Sequence, residues 1–131
     1  MTHEEIVRSL YAAIERGEHG EAFAKIFTDD ARTIEHPNRL KPNGAVAPRD
    51  VMIAHAQAGA SILATQHFDV RSMLVAGDSV AVRLTWSGVM ARDAGPLRAG
   101  QRLVAHVAQF IEVRDGRIAS IETYDCYEPF G

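Results

Sequence analysis

Residues 101–127 read QRLVAHVAQFIEVRDGRIASIETYDCY, and the tetrapeptide Arg114-Asp115-Gly116-Arg117 at their centre decides how the segment folds. Strand-forming runs flank it on both sides. Asp-Gly is favoured in two-residue type I′ turns, where both central residues need φ > 0. With Asp115 and Gly116 as the loop, a regular hairpin pairs Val113 with Ile118, Phe110 with Ile121 and Ala108 with Thr123. The same register sets His106 opposite Asp125. Alternate residues share a face, so His106, Ala108 and Phe110 are expected beside Ile121, Thr123 and Asp125. An imidazole next to a carboxylate on a largely apolar surface is a candidate acid–base pair.

Upstream lies a second hairpin. His67 to Val75 and Ser79 to Met90 flank a Gly77-Asp78 turn, and Val80, Val82, Leu84 and Trp86 alternate onto one face. Arg92 to Gly100 is the longer connection between the hairpins. The first half of the chain reads mainly as helix. Thr2-His3-Glu4-Glu5 is a capping box, followed by Ile6, Val7, Leu10, Tyr11 and Ile14 at helical spacing. A second short helix carries Phe23, Ile26 and Phe27 and ends at Thr28-Asp29-Asp30. Ala31 to His36 reads as a short strand halted by Pro37. Residues 37–47, PNRLKPNGAVA, read as an ordered loop at a cavity rim. Pro48 suits the first turn of a third helix over Arg49 to Ala64. Three helices precede most of the antiparallel strands, with no βαβ alternation, which predicts an α+β fold with helices across a curved sheet.

Length and composition narrow the function. At 131 residues, 47% hydrophobic and 24% charged, the chain reads as one domain spanning residues 1–131 with a real core. A net charge of −3 offers no general attraction to nucleic acid or anionic membrane. The lone Cys126 excludes an intrachain disulfide and a Cys-rich metal site. No apolar run reaches transmembrane length and no basic, apolar leader opens the chain, so a cytoplasmic protein is expected. P-loop, GxGxxG and GxSxG motifs are absent, and no HxH or HExxH spacing occurs. The reading therefore calls for no cofactor and no metal.

Several stretches resemble the nuclear transport factor 2-like superfamily, which includes ketosteroid isomerase, scytalone dehydratase and SnoaL-like polyketide cyclases. Ala12-Ala13-Ile14-Glu15-Arg16-Gly17 resembles the end of the family's first helix, and Ile26-Phe27-Thr28-Asp29-Asp30-Ala31 its "LFADDA" segment. Glu35-His36-Pro37 falls where ketosteroid isomerase has Glu-Asp-Pro. Val113-Arg114-Asp115-Gly116-Arg117-Ile118 resembles the family's final hairpin. Glu35 to Leu40 and Tyr124 to Pro129 are similar to a bacterial branch of mostly unknown function. The resemblance implies a cone-shaped cavity between a concave sheet face and the helices. It places His106, Ala108, Phe110, Ile121, Thr123 and Asp125 on that face, joined by Val82, Leu84 and Trp86. It implies a homodimer through the opposite face, with Val107, Gln109, Ile111, Glu122 and Tyr124.

Departures from the family pattern matter as much. Ketosteroid isomerase works with an Asp base, a Tyr and a protonated Asp. The corresponding positions here align with His36, Leu10 and Ala108, so steroid isomerisation by that mechanism is disfavoured. The resemblance makes His36 the replacement for the base. His106 and Asp125 are the second catalytic candidates, as base and orienter, against a purely structural pair. His55, inside the third helix among alanines, is a candidate substrate contact or simply a satisfied histidine. Trp86 and Phe110 are set to stack on a flat ligand or to pack the core. Val82, Leu84, Ile121 and Thr123 complete the expected substrate wall. The expected function is acid–base chemistry on a small hydrophobic molecule: cyclisation, isomerisation or dehydration. The alternative is a non-catalytic ligand-binding or dimerisation module.

Overall fold

The computed structural model describes residues 1–130. Thr2 opens helix α1 (His3–Glu15) with a reciprocal cap. Its Oγ1 accepts from the Glu5 N–H at 3.1 Å, and Glu5 Oε1 accepts from the Thr2 N–H at 2.9 Å. The apolar stripe Ile6, Val7, Leu10 and Tyr11 is buried as its spacing requires. Tyr11 stacks on Phe68 with ring centroids 4.8 Å apart. Helix α2 (Glu21–Ala24) is shorter than expected. Phe27 to Asp30 extend as the start of strand β1 (Phe27–Glu35) instead, with Phe27 buried at 1% exposure. Strand pairing overrides helical spacing here: Phe27 pairs with Ile118, and the Ile26 carbonyl accepts from the Ile118 N–H at 2.8 Å.

Part of the expected 37–47 loop is strand. Ala45–Pro48 forms β2, antiparallel to β1, with Ala47 opposite Thr33 and Val46 opposite Ile34. Gly44 makes the return possible. Its φ is +66°, and a Cβ there would lie 2.5 Å from the Glu35 carbonyl oxygen. Pro48 caps helix α3 (Arg49–Ile62) from one position outside it. Strands β3 (Leu63–Ala76) and β4 (Ser79–Met90) form the first long hairpin. Strands β5 (Arg102–Arg114) and β6 (Arg117–Tyr127) form the second.

The six strands make one open, curved sheet in the order β2-β1-β6-β5-β4-β3. All neighbours are antiparallel except β1 and β6. Helix α1 crosses β3 while α3 lies on β1 and β2, so both cover one face of the sheet. The main core sits between these layers, around Val7, Phe27, Leu84, Ile111 and Ile118. A second apolar cluster of Met90, Leu97 and Leu103 closes the sheet's far end. None of the described helices is long and apolar enough to cross a membrane.

The final hairpin corrects the expected register. Asp115 and Gly116 do form the turn, at φ 53° and 74°, and Val113 does face Ile118. The next pair is Glu112 with Ser120, so Ala119 is an extra residue on β6. Every later pair is shifted by one. Ile111 faces Ile121, Gln109 faces Thr123 and Val107 faces Asp125, while His106 faces Cys126. On β6 the inward residues are the expected ones. On β5 they are inverted: Val107 and Ile111 are buried at 5% and 0%, whereas Phe110 is 49% exposed. The expected His106–Asp125 pair therefore does not form, because its members lie on opposite faces of the sheet.

Candidate functional site

The concave face and the helices enclose a cavity of two adjoining lobes. The smaller, of about 280 Å³, runs between α1 and the sheet beside Tyr11, Phe23, Met52, Ile121 and Thr123. The larger, of about 550 Å³, opens between Leu84, Trp86, Met90, Leu103, Asp125 and Tyr127. Glu35, Lys41, His55, Gln66, Phe68 and Gln109 line both, so polar side chains gather where the lobes meet. A mainly apolar chamber with a few convergent polar groups is the usual form of a small-molecule site.

Strand alternation aims these groups. On β6, Ile121, Thr123, Asp125 and Tyr127 share the inner face, and on β5, Val107 and Gln109 join them. A chain of hydrogen bonds runs along this surface. Tyr11 donates to Gln109 Oε1 at 2.7 Å, and the Gln109 amide donates to Thr123 Oγ1 at 3.2 Å. Thr123 donates in turn to Asp125 Oδ1 at 2.6 Å.

Asp125 has no cationic partner among the described residues. Burial raises its pKa above the ordinary Asp value; the Thr123 hydrogen bond opposes this, and the Glu35 charge adds to it. Burial pushes the Tyr127 phenol well above its usual range, helped by the charges of Asp125 and Glu35. The Tyr11 phenol is raised by burial too, against the opposing Arg8 charge. Glu35 is held at the neck, where Oε2 accepts from Asn38 Nδ2 at 2.8 Å and Oε1 lies 3.5 Å from Lys41 Nζ. Asn38 Oδ1 also accepts from the Leu40 and Lys41 N–H groups, both at 3.0 Å, which fixes this loop at the cavity wall.

Asp125, Thr123, Ile121, Leu84, Trp86 and His55 all line the cavity. Val82 is buried in the core behind it. Trp86 donates its indole N–H to Gln66 Oε1 at 3.0 Å. Three expected residues lie outside. His106 is on the outer face, with Nε2 2.8 Å from Glu128. Phe110 packs edge-on against Tyr124 on that same face. His36 also points outward: Nε2 lies 2.7 Å from Glu122 Oε2, and the ring stacks on Tyr124 at 4.2 Å. Its backbone N–H donates to the Thr123 carbonyl at 3.1 Å. Alternation along β1 sends Glu35 inward where His36 was expected. Val107, Gln109 and Ile111, expected outside, are inside.

Glu35, Gln109, Tyr11, Lys41, Gln66 and Tyr127 are site residues that sequence reasoning missed. Two were within reach of it. Tyr127 is two residues beyond Asp125 on one strand, and Glu35 is the neighbour of a residue already singled out. Among the described residues, no group of three or more His, Cys, Asp or Glu side chains is arranged to hold a metal ion.

The SnoaL-like domain family matches residues 7–121, and the chain belongs to that family. No curated protein matches it. Among solved structures it resembles IdmH, a candidate polyketide cyclase from Streptomyces antibioticus. The identity is 21% and the TM-score 0.77, over 95% of this chain and 92% of that one. It also resembles SalBIII, an epoxide hydrolase/cyclase-like enzyme with a role in pyran ring formation in the polyether salinomycin. There the identity is 18% and the TM-score 0.73, over 94% and 89% of the two chains. A third is a protein of ketosteroid isomerase-like fold from Catenulispora acidiphila, solved with trimethylamine. It is 20% identical with a TM-score of 0.70, over 94% and 86%. These likenesses establish the nuclear transport factor 2-like fold.

Proposed function

We propose that the cavity binds a small, mainly apolar molecule bearing oxygen functions, and that Asp125 and Glu35 carry out acid–base chemistry on it. The carrying observation is Asp125: a cavity-facing carboxyl with no cation beside it among the described residues, whose pKa is raised by burial against the Thr123 hydrogen bond, with the Glu35 charge adding to the rise. It suits a general acid. Glu35, beside Lys41 and Asn38, suits the base. Ring closure illustrates the roles. Glu35 takes the proton of a substrate hydroxyl, and the freed oxygen attacks an electrophilic carbon. The C–O bond of an epoxide on that carbon breaks, and Asp125 gives its proton to the leaving oxygen. Isomerisation and dehydration need the same two roles and no redox cofactor. The description of SalBIII as cyclase-like supports ring closure among the three. His36 and His106, on the outer face, take no part.

We infer further that the protein is a homodimer joined through its outer face. One row of paired residues crosses the whole sheet there: Val46, Ile34, Glu122, Phe110, Ala81 and Leu74. Val46 and Leu74 are 68% and 70% exposed, and Phe110 and Tyr124 add aromatic surface. The net charge of −3 supports a small-molecule partner over nucleic acid.

The test is incubation with a panel of apolar hydroxy-epoxides and β-hydroxy ketones, with products followed by mass spectrometry. Binding is read in parallel from Trp86, the single tryptophan. Conversion by the native chain that falls about 10²–10⁴-fold in Asp125→Asn, with binding kept, supports the reading. Binding without conversion across the panel favours a ligand-binding module.

A further inference from the structure

The chain from Tyr11 to Asp125 has a direction, and its far end sets it. Tyr11 is 4% exposed. Its hydroxyl has one hydrogen-bond partner among the described residues, Gln109. A buried phenol keeps its proton and must donate it, so Gln109 presents its carbonyl oxygen to Tyr11 at 2.7 Å and its amide N–H groups away from it. That amide then donates to Thr123 Oγ1 at 3.2 Å. With one lone pair taken, the Thr123 hydroxyl turns its own hydrogen to Asp125 Oδ1 at 2.6 Å. The reverse direction would leave the Tyr11 O–H facing a donor.

Asp125 Oδ2 is in a different position. It makes no hydrogen bond to a described residue. Yet no side-chain polar atom among them is both sealed off and unpartnered. Oδ2 is therefore open to the larger lobe, which Asp125 lines.

We propose that Tyr11, Gln109 and Thr123 are positioning residues, which through one directional chain hold Asp125 Oδ1 as an acceptor and confine the carboxyl proton to Oδ2. Resting on the acid role given to Asp125 above, this names the oxygen that meets the substrate. It also makes the smaller lobe part of the acid's support, although its wall residue Tyr11 does not touch Asp125. A substrate oxygen due to be protonated must then lie on the Oδ2 side, in the larger lobe beside Tyr127.

The experiment is an NMR titration of the side-chain carboxyl carbons, with the Asp125 signal identified by its loss in Asp125→Asn. Thr123→Val removes the last donor, and the Asp125 midpoint should rise by roughly one pH unit. Thr123→Ser keeps a hydroxyl and should titrate as the native protein does. Tyr11→Phe is the decisive variant. Without the phenol proton the Gln109 amide can turn, present its oxygen to Thr123 and draw that hydroxyl away from Asp125. The midpoint should then rise, by less than in Thr123→Val. Tyr11→Met removes the same phenol proton with an adaptable side chain and should do likewise, should Tyr11→Phe prove poorly folded. An unmoved midpoint in Thr123→Val overturns the proposal. So does a rise in Thr123→Val with none in folded Tyr11→Phe or Tyr11→Met, since Thr123 would then act alone. The titration needs no substrate, so its outcome is independent of whether turnover is found.

Discussion

Val107, and not His106, lies across from Asp125 on the paired strands β5 and β6. The acid's cross-strand neighbour is thus an aliphatic side chain with 5% exposure. An apolar neighbour in place of an imidazole leaves burial as the main influence on the carboxyl. It also sends the imidazole to solvent, where it meets Glu128.

His106→Ala should therefore leave ligand binding and turnover within about twofold of native, since removing an exposed outer-face pair changes little. Trp86 emission on ligand addition, together with product analysis, checks this. A tenfold loss in either would mean that the outer face reaches the cavity.

The pH dependence of stability should carry the mark of Asp125. Its folded pKa is raised by burial, so the folded state holds this proton more tightly than the unfolded chain does. The stabilisation is fully present below the unfolded value and is lost as pH rises through the folded one. Asp125→Asn removes that slope. Melting temperatures from about pH 4 to 8 should move in the variant's favour as pH rises, then level off. A difference that stays constant, or reverses, would contradict a raised pKa.

Gly44→Ala should destabilise the β1–β2 hairpin. The new Cβ meets the Glu35 carbonyl oxygen at a φ of +66°. A cost of about 1–3 kcal/mol is expected, read as a fall in melting temperature and weaker ligand binding. Unchanged stability would mean that the 41–45 return adjusts freely and does not hold Glu35.

Phe110→Asp should turn a dimer of about twice 14.3 kDa into monomers, because it sets a charge in the middle of the outer row. Light scattering at micromolar concentration reads the change. A native chain that is already monomeric would remove the dimer, and a variant that stays dimeric would move the interface elsewhere.

The fold was legible because its signals are local. The Thr2–Glu5 cap, the Asp115-Gly116 turn and the alternation of Val80, Val82, Leu84 and Trp86 each follow from a few neighbouring residues. The site depended on one residue of register. A hint was present: Leu103, Ala105, Val107, Ile111 and Val113 alternate as an apolar stripe, which marks the odd-numbered face of β5 as buried. On β6, Ile118 and Ile121 are buried three positions apart, which strict alternation forbids and a bulge explains. Extrapolating from the turn ignored both. The Phe27 region failed for another reason. Its helical spacing was overridden by pairing with Ile118, which is ninety-one positions away and invisible to local pattern. Gln109 was passed over because a glutamine among aliphatic residues carries no motif, and only the Tyr11–Thr123 geometry gives it a role.

Ala119 has a consequence for how such a cavity changes over evolutionary time. With the pairing otherwise kept, loss of that single codon would let Ile118, Ser120 and Ile121 alternate regularly against Val113, Glu112 and Ile111. Ile121, Thr123, Asp125 and Tyr127 would stay on the inner face. A gain or loss of one residue at this point is thus absorbed where it occurs, as a change in the local twist of the hairpin. The same change further along β6, with no bulge to take it up, would exchange the inner and outer sets of side chains. Relatives of this chain that lack the extra residue would then keep the same interior behind a more regular turn.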